Sequence, residues 1–498
     1  MHRSRGRLFV AATAVLVLLG AGLSATAAAA GTSADRPAIR AGRPNIVFIL
    51  TDDLSWNLVS HMPEVRRMQS QGMTFTNFVV TDSLCCPSRS SIFTGEFPHD
   101  TKVFTNDADD GGFATFHDRG EEAHTFATAL QRGGYRTGFM GKYLNGYKPS
   151  CEPGAPQPFV PPGWDEWDVA GNGYGEYDYC LAENHETVRY GHDPKDFLVN
   201  VMTRKGTAFV TDAAARNKPF LLELATFAPH GPFVPAPQDE DKFPGLTAPR
   251  TQAFDNTPTD APPWLARKDP LTAAEKNKID TDFRLRAQAV QSVDRMIGSV
   301  RQALQSAGVA DNTYLVFGSD NGFHMGEYRL LEGKQTAFDT DVNVPLVVVG
   351  PGVRAGSRNN AATANIDLAP TFQRLGGAPV ADDVDGHGLV DLLHGDSGQD
   401  WRTVNLIEHH GPNFHADDPD LQSPASGTPP TYDAIRSQRF TYVEYASGAR
   451  EYYDLTTDPQ QLHNVAGGLS PSRQAELHAT VAALKNCHTG AACWRAAR

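Results

Sequence analysis

The sequence has no excess of basic residues, few cysteines and no long apolar run after its first 30 residues. Its 44 Lys and Arg residues face 58 Asp and Glu residues, which gives a net charge of −14 at pH 7. This balance excludes a general nucleic-acid binder, although it permits an anionic substrate at a locally positive site. Because no later segment is apolar enough to span a bilayer, we expect no stable membrane anchor.

The N-terminal segment has the pattern of a secretory signal peptide. A basic start precedes an apolar stretch from Leu8 to about Leu23, and small residues with Ala-x-Ala choices follow it. A membrane anchor is the alternative, but the small-residue tail and the lack of a following basic stop favour cleavage. We therefore expect residues 1–30 to be removed and the mature protein to be secreted.

The six cysteines are too few for a disulfide-dense scaffold, and they fall into three pairs: Cys85 with Cys86, Cys151 with Cys180, and Cys487 with Cys493. The second pair flanks a loop rich in Pro and Gly, and the third lies close together near the C-terminus. In an oxidising compartment, both of these pairs are plausible disulfides. The adjacent first pair is left without an explanation.

Short apolar runs alternate with helical stripes along most of the chain. This alternation is typical of a mostly parallel sheet covered by helices. We predict an α/β fold in which a large mixed, mostly parallel sheet is sandwiched by helices over residues 31–400. After Trp401, short aromatic strands and a closing helix predict a smaller C-terminal α+β subdomain with an antiparallel sheet, over residues 401–498.

Four predicted strands end in polar residues, and in open parallel sheets ligands bind at that edge. Taken singly, each polar group has an ordinary explanation as a helix cap, a turn or a solvated side chain. Together, three carboxylates and one amide form an oxygen-rich set suited to Ca²⁺ or Mg²⁺, since the acids would otherwise repel one another. The polar groups at these strand ends are Asp52 and Asp53, Lys142, His230, and Asp320 with Asn321.

Cys85 and Cys86 precede Pro87, a residue well placed in the first turn of a helix. A helix N-terminus binds anions and would lower the pKa of a thiol. One alternative is an incidental buried cysteine pair. Another is a thiolate nucleophile of the Cys-x₅-Arg type, but Arg89 comes too soon for that loop and a thiolate suits a hard cation poorly.

The run "CCPSR" at residues 85–89, followed by Thr94 and Gly95, resembles the sulfatase signature Cys-x-Pro-Ser-Arg with its trailing Thr-Gly. The resemblance extends from Asn45 to about Asn464. It is closest to the N-acetylglucosamine-6-sulfatase group, which also has "LCCPSR" and "GKYLN". It implies an alkaline-phosphatase-like fold for residues 31–400, and conversion of Cys85 to formylglycine by a separate maturation enzyme, with Cys86 at the variable position.

The resemblance also implies roles for individual residues. Calcium would be held by Asp52, Asp53, Asp320, Asn321 and an oxygen of the converted Cys85. The other catalytic residues would be Arg89, Lys142, His230 and Lys334, with substrate contacts from His324 and Asn145. Many sulfatases have a His two residues after the lysine of "GK", where this chain has Leu144. The general acid would then be His230 or Lys334.

These observations predict a secreted sulfatase that hydrolyses a sulfate monoester, the 6-O-sulfate of N-acetylglucosamine or a related sulfated glycan. One alternative is an arylsulfatase or a phosphodiester or phosphonate ester hydrolase on the same framework. A non-catalytic secreted glycan-binding protein and a purely structural calcium site are the others. The expected partners are a sulfated small molecule or glycan and the formylglycine-generating enzyme.

Overall fold

The computed structural model describes residues 42–107, 109–396, 398–412, 416 and 418–498. The predicted signal peptide, residues 1–30, lies outside these ranges. Within them, none of the helices combines the length and the apolar character needed to cross a membrane. Both predicted disulfides, Cys151–Cys180 and Cys487–Cys493, are present.

The strands of the described chain form three sheets. In chain order they are Asn45–Thr51 (β1), Met73–Phe75 (β2), Phe78–Val79 (β3), Arg136–Gly141 (β4), Glu166–Ala170 (β5), Cys180–Glu183 (β6), Glu186–Arg189 (β7), Phe220–Ala225 (β8), Thr313–Ser319 (β9), Leu346–Val349 (β10), Ser357–Asn359 (β11), Thr363–Ala364 (β12), Val404–His409 (β13), Tyr432–Ser437 (β14), Phe440–Tyr445 (β15) and Arg450–Asp454 (β16). The large sheet has ten strands in the order β11-β2-β10-β9-β1-β8-β4-β5-β6-β7.

The centre of the large sheet is parallel, and its flanks are partly antiparallel. Strand β1 pairs in parallel with β8 and β9, and β4 pairs in parallel with β8 and β5. Strands β10, β6 and β7 introduce antiparallel pairs on the two sides. The carboxyl ends of β1, β4, β8 and β9 therefore meet at one edge, where ligands bind in sheets of this kind.

Helices cover both faces of the large sheet. The helices are Trp56–Val59 (α1), Pro63–Gln71 (α2), Cys85–Thr94 (α3), Pro98–Thr101 (α4), Gly112–Asp118 (α5), Phe126–Arg132 (α6), Leu198–Ala215 (α7), Ala273–Ser306 (α8), Asp339–Val342 (α9), Leu368–Gly376 (α10), Val390–Leu393 (α11), Pro471–Leu484 (α12) and Gly490–Ala496 (α13). Strand β1 shows the layering, because Ile46 and Phe48 pack into one apolar cluster and Val47 into the other. This confirms the predicted helix-covered sheet.

The C-terminal region has its own antiparallel sheet, as the sequence predicts. Its four strands lie in the order β13-β14-β15-β16. Helix α12 packs on β14, and apolar residues of the sheet and of α12 share one cluster. A further helix, α13, follows α12 and ends the described chain, whereas the sequence predicts that α12 is the last helix.

Candidate active site

Cys85 is the first residue of α3, whereas the sequence predicts both cysteines just ahead of the helix. Leu84 precedes it in an extended conformation, and the helix ends at Gly95, which adopts a φ of 82° that favours glycine. Every residue of α3 is buried. The side chain of Cys85 therefore emerges from the first turn of a helix that is enclosed by the rest of the protein.

Carboxylates from β1 and β9 converge on Cys85. Asp52 follows β1, and its Oδ1 lies 3.1 Å from the Cys85 Sγ. The backbone N–H of Asp53 donates to Asp320 Oδ1 at 3.2 Å, which joins the ends of the two strands. Asn321 Nδ2 donates to Asp53 Oδ1 at 2.6 Å. The four oxygen-bearing residues predicted from the strand ends are thus gathered around one thiol.

Two lysines and one arginine lie against these acids. Lys142 Nζ donates to Asp52 Oδ2 at 2.5 Å, and Arg89 Nε donates to Asp320 Oδ2 at 2.7 Å. Lys334 Nζ donates to Asp53 Oδ1 at 2.7 Å and lies 2.9 Å from the Cys85 Sγ. All three cationic side chains are almost fully buried. A dense set of opposite charges is therefore held out of water, which is costly unless every charge is paired.

Asp420 is a member of this site that the sequence did not reveal. Its Oδ1 accepts from His230 Nε2 at 2.6 Å and from Lys334 Nζ at 2.7 Å. Its Oδ2 accepts from Asn106 Nδ2 at 2.7 Å. The residue lies in the loop between β13 and β14, far from the strand ends of the large sheet, so no strand pattern points to it.

His230 lies in the turn after β8 rather than on the strand, which ends at Ala225. The backbone N–H of His230 donates to Phe227 O at 2.9 Å. The Tyr174 ring lies 4.6 Å from the imidazole and 5.0 Å from Lys142 Nζ, measured from its centroid. The aromatic ring thus covers one side of the His230 and Lys142 side chains.

The charges of the site shift the pKa values of its carboxyl groups in opposite directions. Burial would raise the pKa of Asp52, but the charges of Lys142 and His230 outweigh it and hold that pKa below its usual range. Burial and the neighbouring Asp52 raise the pKa of Asp320 to about 6, in spite of Arg89. Asp52 therefore loses its proton more readily than an exposed carboxyl group, whereas Asp320, which follows β9, holds its proton more readily.

Burial also governs the thiol. Together with the charges of Asp420 and Asp52, it raises the pKa of Cys85 well above its usual value. The prediction that the helix N-terminus lowers this pKa is therefore wrong, because desolvation and two carboxylates outweigh the partial charge of the helix end. This environment therefore disfavours a thiolate at Cys85.

The donor set fits a divalent cation. Asp52, Asp53, Cys85 and His230 each offer one ligand atom, and these atoms lie within 4.8 Å of one another. The Oδ1 of Asn321 is buried and has no hydrogen-bond partner among the described residues. A buried oxygen without a partner is unfavourable, and a bound cation would satisfy it. Oxygen ligands of this kind suit Ca²⁺ or Mg²⁺.

The two residues predicted to contact substrate lie in different surroundings. His324 is fully buried, with Nδ1 3.0 Å from Asp341 Oδ1 and Nε2 2.7 Å from Ser426 O, so both ring nitrogens are engaged inside the protein. Asn145 borders a cavity of about 370 Å³ that Tyr174 also lines. The structure therefore brings Asn145, but not the ring nitrogens of His324, to the open space that Tyr174 lines.

The fold is a helix-covered, mostly parallel sheet with charged residues gathered at its strand ends, and comparison with known proteins identifies the family. The Sulfatase family model matches residues 44–378, and the model of the N-sulphoglucosamine sulphohydrolase C-terminal region matches residues 326–486. Human N-acetylglucosamine-6-sulfatase is 32% identical over 505 residues, which cover 95% of this chain and 88% of that protein. The chain belongs to the sulfatase family and is an enzyme that hydrolyses sulfate esters.

Solved structures support the same fold. A protein in complex with its substrate D-glucosamine-2-N,6-O-disulfate superposes with a TM-score of 0.73 at 22% identity, covering 89% of this chain and 97% of that one. The phosphonate monoester hydrolase of Agrobacterium radiobacter superposes with a TM-score of 0.66 at 21% identity, covering 90% and 97%. At these identities the two likenesses concern the fold alone.

Proposed function

We propose that this sulfatase is secreted and removes the 6-O-sulfate of N-acetylglucosamine or of a related sulfated glycan. The observation that carries the proposal is the convergence of Asp52, Lys142 and Lys334 on Cys85, the residue of the sulfatase signature. The 32% identity with human N-acetylglucosamine-6-sulfatase over nearly the whole chain supports the choice of sugar. The two disulfides support an oxidising compartment.

In this proposal, Cys85 is converted to formylglycine. As a thiol it is a weak nucleophile here, because its pKa is raised well above the usual value by burial. The hydrated aldehyde supplies one hydroxyl that attacks sulfur and a second that, on losing its proton, reforms the carbonyl and releases sulfate. A serine has no second hydroxyl for that release.

Asp52, Asp53, Asp320 and Asn321 would hold the cation, which we propose to be Ca²⁺. The bound ion would supply positive charge next to residue 85. The ion would also offset the effect of Asp52 on Asp320, since burial and that neighbouring carboxylate raise the pKa of Asp320 to about 6. The unpartnered Oδ1 of Asn321 is the atom that most directly requires such a ligand.

The remaining side chains have two proposed roles, which are binding of the sulfuryl group and proton transfer to the leaving group. Lys142 and Lys334 keep their protons, because the nearby carboxylates Asp52 and Asp420 raise their pKa values well above the usual range against the effect of burial. They would stabilise negative charge on the sulfuryl oxygens. His230 has its pKa raised by Asp53 and Asp420 in spite of burial, so it would carry the proton given to the departing alkoxide.

Replacement of residue 85 tests the proposal. Cys85→Ser should complete at most one turnover and accumulate a sulfated enzyme that is detectable by intact mass. Cys86→Ala is the matched control, because the Cys86 side chain packs in an apolar cluster and no role in catalysis is proposed for it. Steady multiple turnover by Cys85→Ser would contradict the formylglycine mechanism.

A panel of sulfated mono- and disaccharides tests the choice of substrate. We expect sulfate release to be fastest from 6-sulfated N-acetylglucosamine. Preference for a sulfated phenol over every sugar would indicate an arylsulfatase instead. The fold shared with a phosphonate monoester hydrolase makes phosphorus esters the second candidate, and sulfate and phosphate esters of the same phenol distinguish the two.

A further inference from the structure

We propose that an arginine trough on the edge of the large sheet, formed by Arg66, Arg67, Ser70, Ser357 and Arg358, binds a sulfated polysaccharide. The trough is distant from Cys85 and the buried charged residues around it, which together are named the catalytic cluster. The inference rests on the proposed function, because the polysaccharide bound by the trough belongs to the same chemical class as the proposed substrate. The trough would hold the polymer while one sugar unit of that polymer occupies the catalytic site.

The trough is built by two elements that are far apart in sequence. Helix α2 contributes Arg66, Arg67 and Ser70, and edge strand β11 contributes Ser357 and Arg358. Strand β11 pairs with β2, which follows α2, so that Arg358 lies opposite Thr74. The resulting cavity has a volume of about 620 Å³. It is a concave surface rather than a row of separate side chains.

The charge of the trough differs from that of the whole protein. Arg66, Arg67 and Arg358 are exposed, although the chain carries a net charge of −14. Among the described residues, Arg66 and Arg358 have no carboxylate oxygen within 4.0 Å, and Arg67 has Glu64 at 3.6 Å. Glu64 also lies 3.3 Å from the Nε of Arg301. Glu64 is thus shared between Arg67 of the trough and Arg301 outside it, which leaves the three arginines of the trough with a net positive charge.

Guanidinium groups suit sulfate because they present several N–H donors in a plane and remain charged. The hydroxyls of Ser70 and Ser357 donate to Arg67 O at 2.7 Å and to Arg354 O at 2.6 Å, so their oxygens can accept from sugar hydroxyls. None of the described residues that line the trough is aromatic. Single-stranded nucleic acid uses aromatic platforms for its bases, so this chemistry favours a sulfated sugar chain over a nucleic acid.

The position of the trough fits a polymer that reaches the catalytic site. Strand β11 lies four strands from β1, which corresponds to about 19 Å at the usual strand spacing. A second cavity of about 460 Å³ shares Thr74 and Arg358 with the trough and extends to Ser55, next to the metal-site loop after β1. Two acids line this cavity: Asp339 is paired with Arg436 at 2.7 Å, and Glu327 accepts from the backbone N–H of Met325 at 2.7 Å. The two cavities therefore adjoin at Thr74 and Arg358, and the second one reaches Ser55.

Binding of heparin, as a heavily sulfated polysaccharide, tests the proposal on the full-length protein. The Cys85→Ala background keeps the probe intact. We expect the combined change Arg66→Ala, Arg67→Ala and Arg358→Ala to weaken binding about tenfold or more, and we expect binding to weaken as salt is raised. The control is Arg132→Ala, Arg189→Ala and Arg267→Ala, which removes the same charge from exposed positions outside the trough.

Three results would overturn the inference: unchanged heparin binding by the trough variant, an equal loss in the control variant, or equally tight binding of an oligonucleotide of the same charge. Circular dichroism of both variants checks that each is folded. Because binding is measured on an inactive protein, it does not depend on catalysis. Failure of the unaltered protein to release sulfate would instead contradict the proposed function and leave the binding result standing.

Discussion

The catalytic cluster and the arginine trough hold charge in opposite ways. In the cluster, Lys142, Lys334 and Arg89 are buried, and each lies within hydrogen-bond distance of a carboxylate. In the trough, Arg66 and Arg358 are exposed and lack such a partner among the described residues. Burying a charge requires compensation, whereas exposing one requires little. This difference agrees with the two proposals, chemistry on one small group at the cluster and reversible attachment of a polymer at the trough.

The largest expected effect is the loss of a buried cation. Lys142→Ala removes the partner of Asp52. In the proposed mechanism, it also removes a donor for the sulfuryl oxygens. We expect the rate of sulfate release to fall about a hundredfold or more, as when one oxyanion donor is removed. Measurement of kcat with a 6-sulfated sugar checks this, with Arg358→Ala as the exposed-cation control. Similar losses in the two variants would remove the contrast between cluster and trough.

The next largest loss of kcat is expected for a change of Asp420, which accepts hydrogen bonds from two other side chains of the cluster. Asp420→Ala frees His230 Nε2 and Lys334 Nζ from a shared acceptor. We expect kcat to fall about tenfold to a hundredfold, because a general acid that is no longer oriented loses part of its contribution. Asp420→Glu, which keeps the carboxylate, should recover part of the loss. A variant with a normal kcat and a raised KM alone would show that Asp420 binds substrate instead.

Removal of divalent cations should lower the stability of the protein by emptying the proposed metal site in the catalytic cluster, without a contribution from the trough. Without an ion, burial and the charge of Asp52 disfavour ionisation of Asp320, whose pKa they raise to about 6. A cation present at a hundred times its Kd contributes about 2.7 kcal/mol of stability, and chelation removes this. Thermal melts with and without a chelator measure the effect, which the trough variant should show in full. An unchanged melting temperature after chelation of the unaltered protein would contradict a metal site.

The smallest expected effect concerns the trough and a small substrate. We expect the triple change Arg66→Ala, Arg67→Ala and Arg358→Ala to leave the kcat for a sulfated monosaccharide within about twofold, since surface substitutions change little. The KM for a sulfated polymer should rise instead. Equal changes for the small and the polymeric substrate would show that the trough affects folding or the catalytic cluster.

The residues of the catalytic cluster that directly follow strands of the large sheet could be predicted from the sequence. Asp52 and Asp320 each follow a continuous apolar run, and parallel pairing brings such strand ends together. Cys85 was found by its motif. Asp420 follows no strand of the large sheet, so the local sequence pattern does not indicate that it contacts His230. The trough was equally hidden, because only the pairing of β11 with β2 brings Arg358 to α2.

The state of residue 85 in the mature protein tests the central claim most directly. Peptide mass spectrometry of the segment that contains Cys85 and Cys86 distinguishes a thiol from an aldehyde. We predict that Cys85 has lost its sulfur and carries a carbonyl oxygen, while Cys86 keeps its sulfur, in protein that releases sulfate from 6-sulfated N-acetylglucosamine. Active protein in which both residues retain their sulfur would contradict the account.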